Sequence, residues 1–196
     1  MQIAFLLFDG ITALDAIGPY EVLSRLPGVD VRFLATTPGP KRTGDGALAL
    51  VAEHALADVP RPEIVVLPGG QGARVAMHEP SVLEWLRAAH EHSRWTTSVC
   101  TGALILGAAG LLDGLRATTH WRSLERLREF GAQPVAERVV RQGKIITAAG
   151  VSAGIDMALT LAALEADEAT ARQIQLDIEY DPQPPFACPP RPHEKQ

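Results

Sequence analysis

Apolar positions along the chain follow two alternating periods. Short continuous apolar runs at residues 2–7, 29–35, 63–67 and 94–99 are bounded by turn residues, the pattern of strands buried on both faces. Between them the spacing becomes helical. Residues 15–26 place Ile17, Tyr20, Val22 and Leu23 near one face, and Pro27-Gly28 stops the run. Residues 81–92 open a helix behind Pro80, and residues 101–109 form an Ala-rich one. Residues 38–45 are punctuated by Gly and Pro and read as a loop or small hairpin.

The second half continues with an extended piece at 116–119 and a helix over 121–130. A hairpin of 135–142 and 144–148 turns at Gln142-Gly143, and helices follow at 155–164 and 169–180. Short strands alternating with helices predict an α/β fold, a doubly wound, mostly parallel sheet sandwiched by helices. A single domain is expected over residues 1–180. Residues 181–196 hold 6 prolines among 16 positions and form a tail without regular structure.

Composition narrows the function classes. With 196 residues, 46% hydrophobic and 21% charged, the chain has ordinary soluble-domain composition and room for one full core. Its 18 Lys+Arg against 23 Asp+Glu leave a net charge of −5, which argues against nucleic acid as a partner. No apolar run reaches the roughly 18 residues of a membrane span. The opening MQIAFLLFDG lacks a basic n-region and is too short for a secretory signal. Two cysteines, Cys100 and Cys188, make no disulfide framework, and no Cys/His cluster has zinc spacing. A cytoplasmic protein without a metal is the expectation.

In doubly wound folds, ligands bind where strands end and helices begin. Three groups of residues sit there. Ser98-Val99-Cys100-Thr101-Gly102 places a cysteine between a strand and a helix, with small residues two positions away on each side. That is the sulfur counterpart of a nucleophile elbow, and a helix N-terminus there would favour thiolate. The Thr101 amide would point towards an anion beside the sulfur. A buried core cysteine is the plain alternative. Leu67-Pro68-Gly69-Gly70 could aim a backbone N–H into the site as half of an oxyanion hole, or could simply be a tight turn. Asp15 could cap its helix, or could serve the cysteine as proton donor and acceptor with its pKa raised by burial.

His120 lies 20 residues after Cys100 and could orient the site or open the helix at Trp121. His54, His78, His90 and His92 fall in charged stretches that read as exposed. His193 is in the tail, and Cys188, flanked by Pro189-Pro190, reads as inert.

The segment SVCTGALILGAAGLLDGLRATTHW resembles the nucleophile-elbow region of the ThiJ/PfpI superfamily, as do AFLLFDGITALDAIGPYEVL and VVLPGGQG. Within it, Asp15 where many relatives carry Glu, Cys100-Thr101, and the run from Ala148 to Phe186 resemble isonitrile (isocyanide) hydratases. The resemblance implies a flavodoxin-like, class I glutamine amidotransferase-like sandwich and a cofactor-free homodimer. The implied activity is addition of water to a small apolar isonitrile, R–N≡C, giving an N-substituted formamide. It implies Cys100 as nucleophile, Asp15 as acid/base and Thr101 in support. Gly69, Gly70, His120, Gly150 and Val151 fall around the site. An apolar pocket is expected from the neighbourhoods of Ile11, Ile17, Val99 and Val151. Other activities of the fold stay open: hydration of 2-oxoaldehydes, an amidase, or a ligand or redox sensor built on the same cysteine.

Overall fold

A computed structural model describes residues 1–189 of the chain. β1 (Gln2–Leu6) leads into α1 (Ala13–Leu23) and β2 (Asp30–Ala35). A separate antiparallel hairpin, β3 (Gly39–Arg42) with β4 (Ala49–Ala52), precedes the short β5 (His54–Ala55). β6 (Ile64–Leu67) continues through α2 (Ala73–Ala76) into α3 (Pro80–His92), and β7 (Trp95–Val99) turns directly into α4 (Gly102–Ala108). β8 (Arg116–Ala117) pairs in parallel with β9 (Gln133–Pro134), with a 3-10 segment, Trp121–Phe130, between them. β10 (Val139–Gln142) and β11 (Ile145–Ala148) form a hairpin closed by Gly143 at φ 60°, and α5 (Ala153–Glu165) and α6 (Glu168–Asp177) follow. Residues 181–189 form neither helix nor strand.

Seven strands make one sheet in the order β10-β11-β7-β6-β1-β2-β5, parallel throughout except at β10. Every residue of β6 is buried, as a central strand covered on both faces requires. Side-chain alternation along the strands then feeds two cores. Ile3, Phe5, Ile64 and Val66 face α1, α5 and α6, where Val22, Met157 and Ile174 meet them. Ala4, Leu6, Val65 and Leu67 face the other layer, with Leu86 of α3 and Leu104 of α4. The chain leaves β1 to build one half of the sheet, then returns to β6 beside β1 to build the other. The switch point therefore lies between β1 and β6, and the loops after β1, β6 and β7 converge on it.

The sequence pattern and the structure differ in several places. Residues 121–130 wind as a 3-10 segment because the buried Leu124 and Leu127 are three apart, the repeat that lines up in a 3-10 helix, and Gly131 at φ 74° ends it. The second strand of the small hairpin, β4, lies outside the 38–45 punctuation, and β10 begins at Val139 because only Val139–Gln142 pairs with β11. His54 and His90 are half-buried, not exposed. His54 Nε2 lies 3.0 Å from Arg32 Nη1, and His90 Nδ1 lies 2.8 Å from Thr96 Oγ1. His193 falls outside the described residues.

Candidate active site

Cys100 is the first residue beyond β7 and adopts φ 55°, the left-handed region that a side chain with a Cβ enters at a cost of about 1–2 kcal/mol. The surroundings enforce it. Its N–H lies 3.1 Å from the Ala148 carbonyl and 3.0 Å from that of Ala149, and its own carbonyl accepts the Thr119 hydroxyl at 2.6 Å. Gly102 must be small, because a Cβ there would fall onto the Leu67 carbonyl oxygen. The elbow turns the thiol inward, 5% exposed.

Asp15 lies in the first turn of α1, three residues past the N-cap Thr12, and is fully buried. It does not cap its helix. Its Oδ2 accepts the Gly69 N–H at 2.9 Å, while Oδ1 is buried without a conventional hydrogen-bond partner. Pro19, inside α1, has no N–H to offer the Asp15 carbonyl one turn earlier. Burial raises the Asp15 pKa from its ordinary 3.8 to about 6, with the Gly69 amide and the Cys100 thiol holding it from going higher.

Burial also pushes the Cys100 thiol up, to about 11, and the Asp15 charge adds to that rise. The backbone N–H groups of Thr101 and Val151, with the Thr101 side chain, act on the sulfur in the opposite direction. The amides favour thiolate, as expected at a helix N-terminus, while burial and the Asp15 charge oppose it. The pair titrates near pH 6 and near pH 11, and between those values it holds one proton.

Thr101 joins two loops. Its hydroxyl accepts the Gly70 N–H at 2.9 Å and donates to the Gly70 carbonyl at 3.0 Å. Neither glycine amide is left for a substrate oxyanion, because Gly69 serves Asp15 and Gly70 serves Thr101. The oxyanion expectation for this pair is corrected accordingly. The amides directed at the reacting sulfur belong to Thr101 and Val151. Val151 holds φ 44°, a strained value for a β-branched residue. Gly150 supports His120 from behind, since a Cβ there would lie 2.7 Å from His120 Cδ2. His120 Nδ1 accepts the Arg122 N–H at 3.2 Å, which places the proton of a neutral ring on Nε2.

A cavity of about 200 Å³ opens over this centre, reaching Cys100, Thr101, Val151 and His120 from a rim of Gln71, Arg74 and Arg122. The expected apolar lining is present only at Val151. Ile11 and Val99 are buried in the core, and Ile17 lines a separate groove with Leu14, Ile155 and Ile178. Sequence reasoning missed Gln71, Arg74, Arg122 and Thr119. The first two follow the Gly69-Gly70 turn, and the others flank His120. That proximity was the available signal.

The sequence profile of the DJ-1/PfpI family matches residues 1–164. The chain belongs to this family. Among DJ-1/PfpI relatives it is 45% identical over 186 residues to an isonitrile hydratase of Pseudomonas putida, covering 95% of this chain and 81% of that protein. It is 30% identical over 167 residues to the HTH-type transcriptional regulator CdhR of Pseudomonas aeruginosa, spanning 81% of this chain and 49% of the regulator. A crystal structure of a ThiJ/PfpI family protein from Pseudomonas syringae superposes with a TM-score of 0.91 at 38% identity, covering 94% of this chain and 77% of that one. These likenesses agree with the parallel sheet flanked by helices seen in this DJ-1/PfpI chain.

Proposed function

We propose that this chain hydrates isonitriles to N-substituted formamides, R–N≡C + H2O → R–NH–CHO. The reading is carried by one observation, a fully buried Asp15 carboxyl group acting on the Cys100 thiol, with its pKa near 6. The 45% identity to the Pseudomonas putida isonitrile hydratase supports it.

The chemistry needs a group that both gives and takes protons at one carbon. In the resting pair Asp15 is charged and Cys100 is a thiol. As sulfur attacks the terminal isonitrile carbon, the thiol proton passes through Asp15 to that carbon, forming the thioimidate R–N=CH–S–Cys100. The Thr101 and Val151 N–H groups steady the sulfur while it carries negative charge. Asp15, again a carboxylate, takes a proton from water as the oxygen adds to the same carbon and returns it to nitrogen. The intermediate R–NH–CH(OH)–S–Cys100 collapses, the carbon–sulfur bond breaks, and the hydroxyl proton returns to sulfur. The pair ends as it began.

Thr101 positions the two loops, Gly69 positions Asp15, and Gly150 with His120 shapes the wall. A homodimer, implied by family resemblance, and a cytoplasmic location, expected from the sequence, belong to the same proposal. Among the described residues, no helix is long and apolar enough to cross a membrane.

The test is to incubate purified protein with cyclohexyl isocyanide and follow the formamide, with Cys100→Ala and Asp15→Asn alongside. Turnover in the parent chain, lost in both variants, is the expected result. No formamide from any of several isonitriles would overturn the reading and move 2-oxoaldehyde hydration or ligand sensing to the front.

A further inference from the structure

The rim of the cavity is basic in a chain of net charge −5. Arg74, on α2, and Arg122, on the 3-10 segment, approach it from two separate elements. Among the described residues, no carboxylate lines this cavity. Among the described residues eight arginines pair with an Asp or Glu; Arg74 and Arg122, like Arg42, Arg61, Arg87 and Arg141, do not. Both are nonetheless held in place. Arg74 donates through Nη1 to Gln71 Oε1 at 3.2 Å and through Nη2 to Ser123 Oγ at 3.3 Å, and the Arg122 guanidinium stacks 5.0 Å above the Trp121 ring. Two permanently charged forks, oriented by neutral partners at one opening, make a receptor for a planar anion.

Taking the hydratase reading as its basis, we infer that the substrate is an isonitrile bearing a carboxylate, whose charge is received by Arg74 and Arg122 while its isonitrile carbon meets Cys100. The cavity limits its size. A cavity of about 200 Å³ suits a small substrate, such as an isocyano group and a carboxylate joined by a short linker. A long alkyl or bulky aryl isonitrile would have to project past the rim. The carboxylate also fixes which end of the molecule enters, because the Asp15 charge buried beside Cys100 repels it and the arginines at the mouth hold it.

The probes are isocyanoacetate and its neutral methyl ester, which differ in charge and little in size. The expected result is a kcat/KM for isocyanoacetate about tenfold above that for the ester, a preference that shrinks with added salt. In Arg74→Gln and Arg122→Gln the ratio between the two substrates falls towards one. Equal kcat/KM values in the parent chain, or a ratio that neither substitution moves, would overturn the inference. If cyclohexyl isocyanide is turned over and neither of these probes is, the carboxylate inference fails and the hydratase reading stands; if no isonitrile is turned over, the hydratase reading itself fails, and a second arm still decides the anion site. In a Cys188→Ser background, Cys100 is alkylated with iodoacetate and with iodoacetamide. A rate ratio favouring the anionic reagent, reduced by Arg74→Gln, supports the anion receptor. A ratio equal to that of a free thiol rules it out.

Discussion

The Gly69 N–H reaches Asp15 Oδ2 at 2.9 Å, joining residues 54 apart in sequence across the switch point of the sheet. This bond holds the buried carboxyl group beside Cys100, and the glycine has to be a glycine. A Cβ at position 69 would lie 2.5 Å from the Thr101 nitrogen and 3.0 Å from Asp15 Oδ2. Gly69→Ala is therefore expected to displace Asp15 and lower kcat/KM by about a hundredfold, the scale set by misplacing a group by about 1 Å. Steady-state kinetics beside a thermal melt would check this. An alanine variant with parental kinetics would show that the bond is dispensable.

The proton count of the Asp15–Cys100 pair sets the pH dependence. Below about pH 6 Asp15 is protonated in the free protein, and the pair carries a second proton that leaves no base for the thiol. The kcat/KM should rise with pH through about 6 and stay level to beyond pH 9. A pH–rate profile with its acid limb below pH 5 would contradict this assignment.

Stability runs the other way. Asp15 is held in the fold at a pKa of about 6 against an ordinary 3.8, so its proton is bound more tightly in the folded state. The stability that goes with that proton is fully present below pH 3.8 and is lost as pH rises through about 6. At about 1.4 kcal/mol per pH unit, charging this carboxyl group costs about 3 kcal/mol above pH 7. Asp15→Asn, whose amide oxygen can still accept the Gly69 N–H, should raise the melting temperature at pH 8 and change it little at pH 4. Denaturation at both pH values measures the difference.

Val151 offers a separation of stability from activity. At φ 44° its branched side chain is strained, and Val151→Gly should gain about 1 kcal/mol of stability from relief, reduced by the glycine's added freedom when unfolded. The same change loosens the amide that faces the sulfur, so turnover should fall. Chemical denaturation and kinetics on one preparation would show opposite signs.

How much of this was legible in the sequence depended on the range of the interactions. Continuous apolar runs such as Ile64–Leu67 are local signals, and they marked the parallel strands. Small residues around Cys100 marked the elbow for the same reason, because a tight turn excludes bulk within a few positions. The destinations of the Gly69 and Gly70 amides were not readable, since Asp15 and Thr101 reach them only after the sheet has assembled. The 3-10 winding of Trp121–Phe130 was hidden because spacings of three also occur in α-helices. The basic rim was hidden because Arg74 and Arg122 sit in stretches that read as solvated surface. Their shared cavity exists only in three dimensions.

The two layers of the sandwich each own part of the chemistry. Asp15 is carried by a helix packed on one face of the sheet, while the helix that follows Cys100 packs on the opposite face. The gap between carboxyl and sulfur is thus a caliper reading of how firmly both layers grip the sheet. A methyl group added or removed beneath α1 or α4, far from any substrate, would register in catalytic rate as well as in the melting curve. Drift in the interior of this protein is therefore constrained by its reaction as much as by its fold.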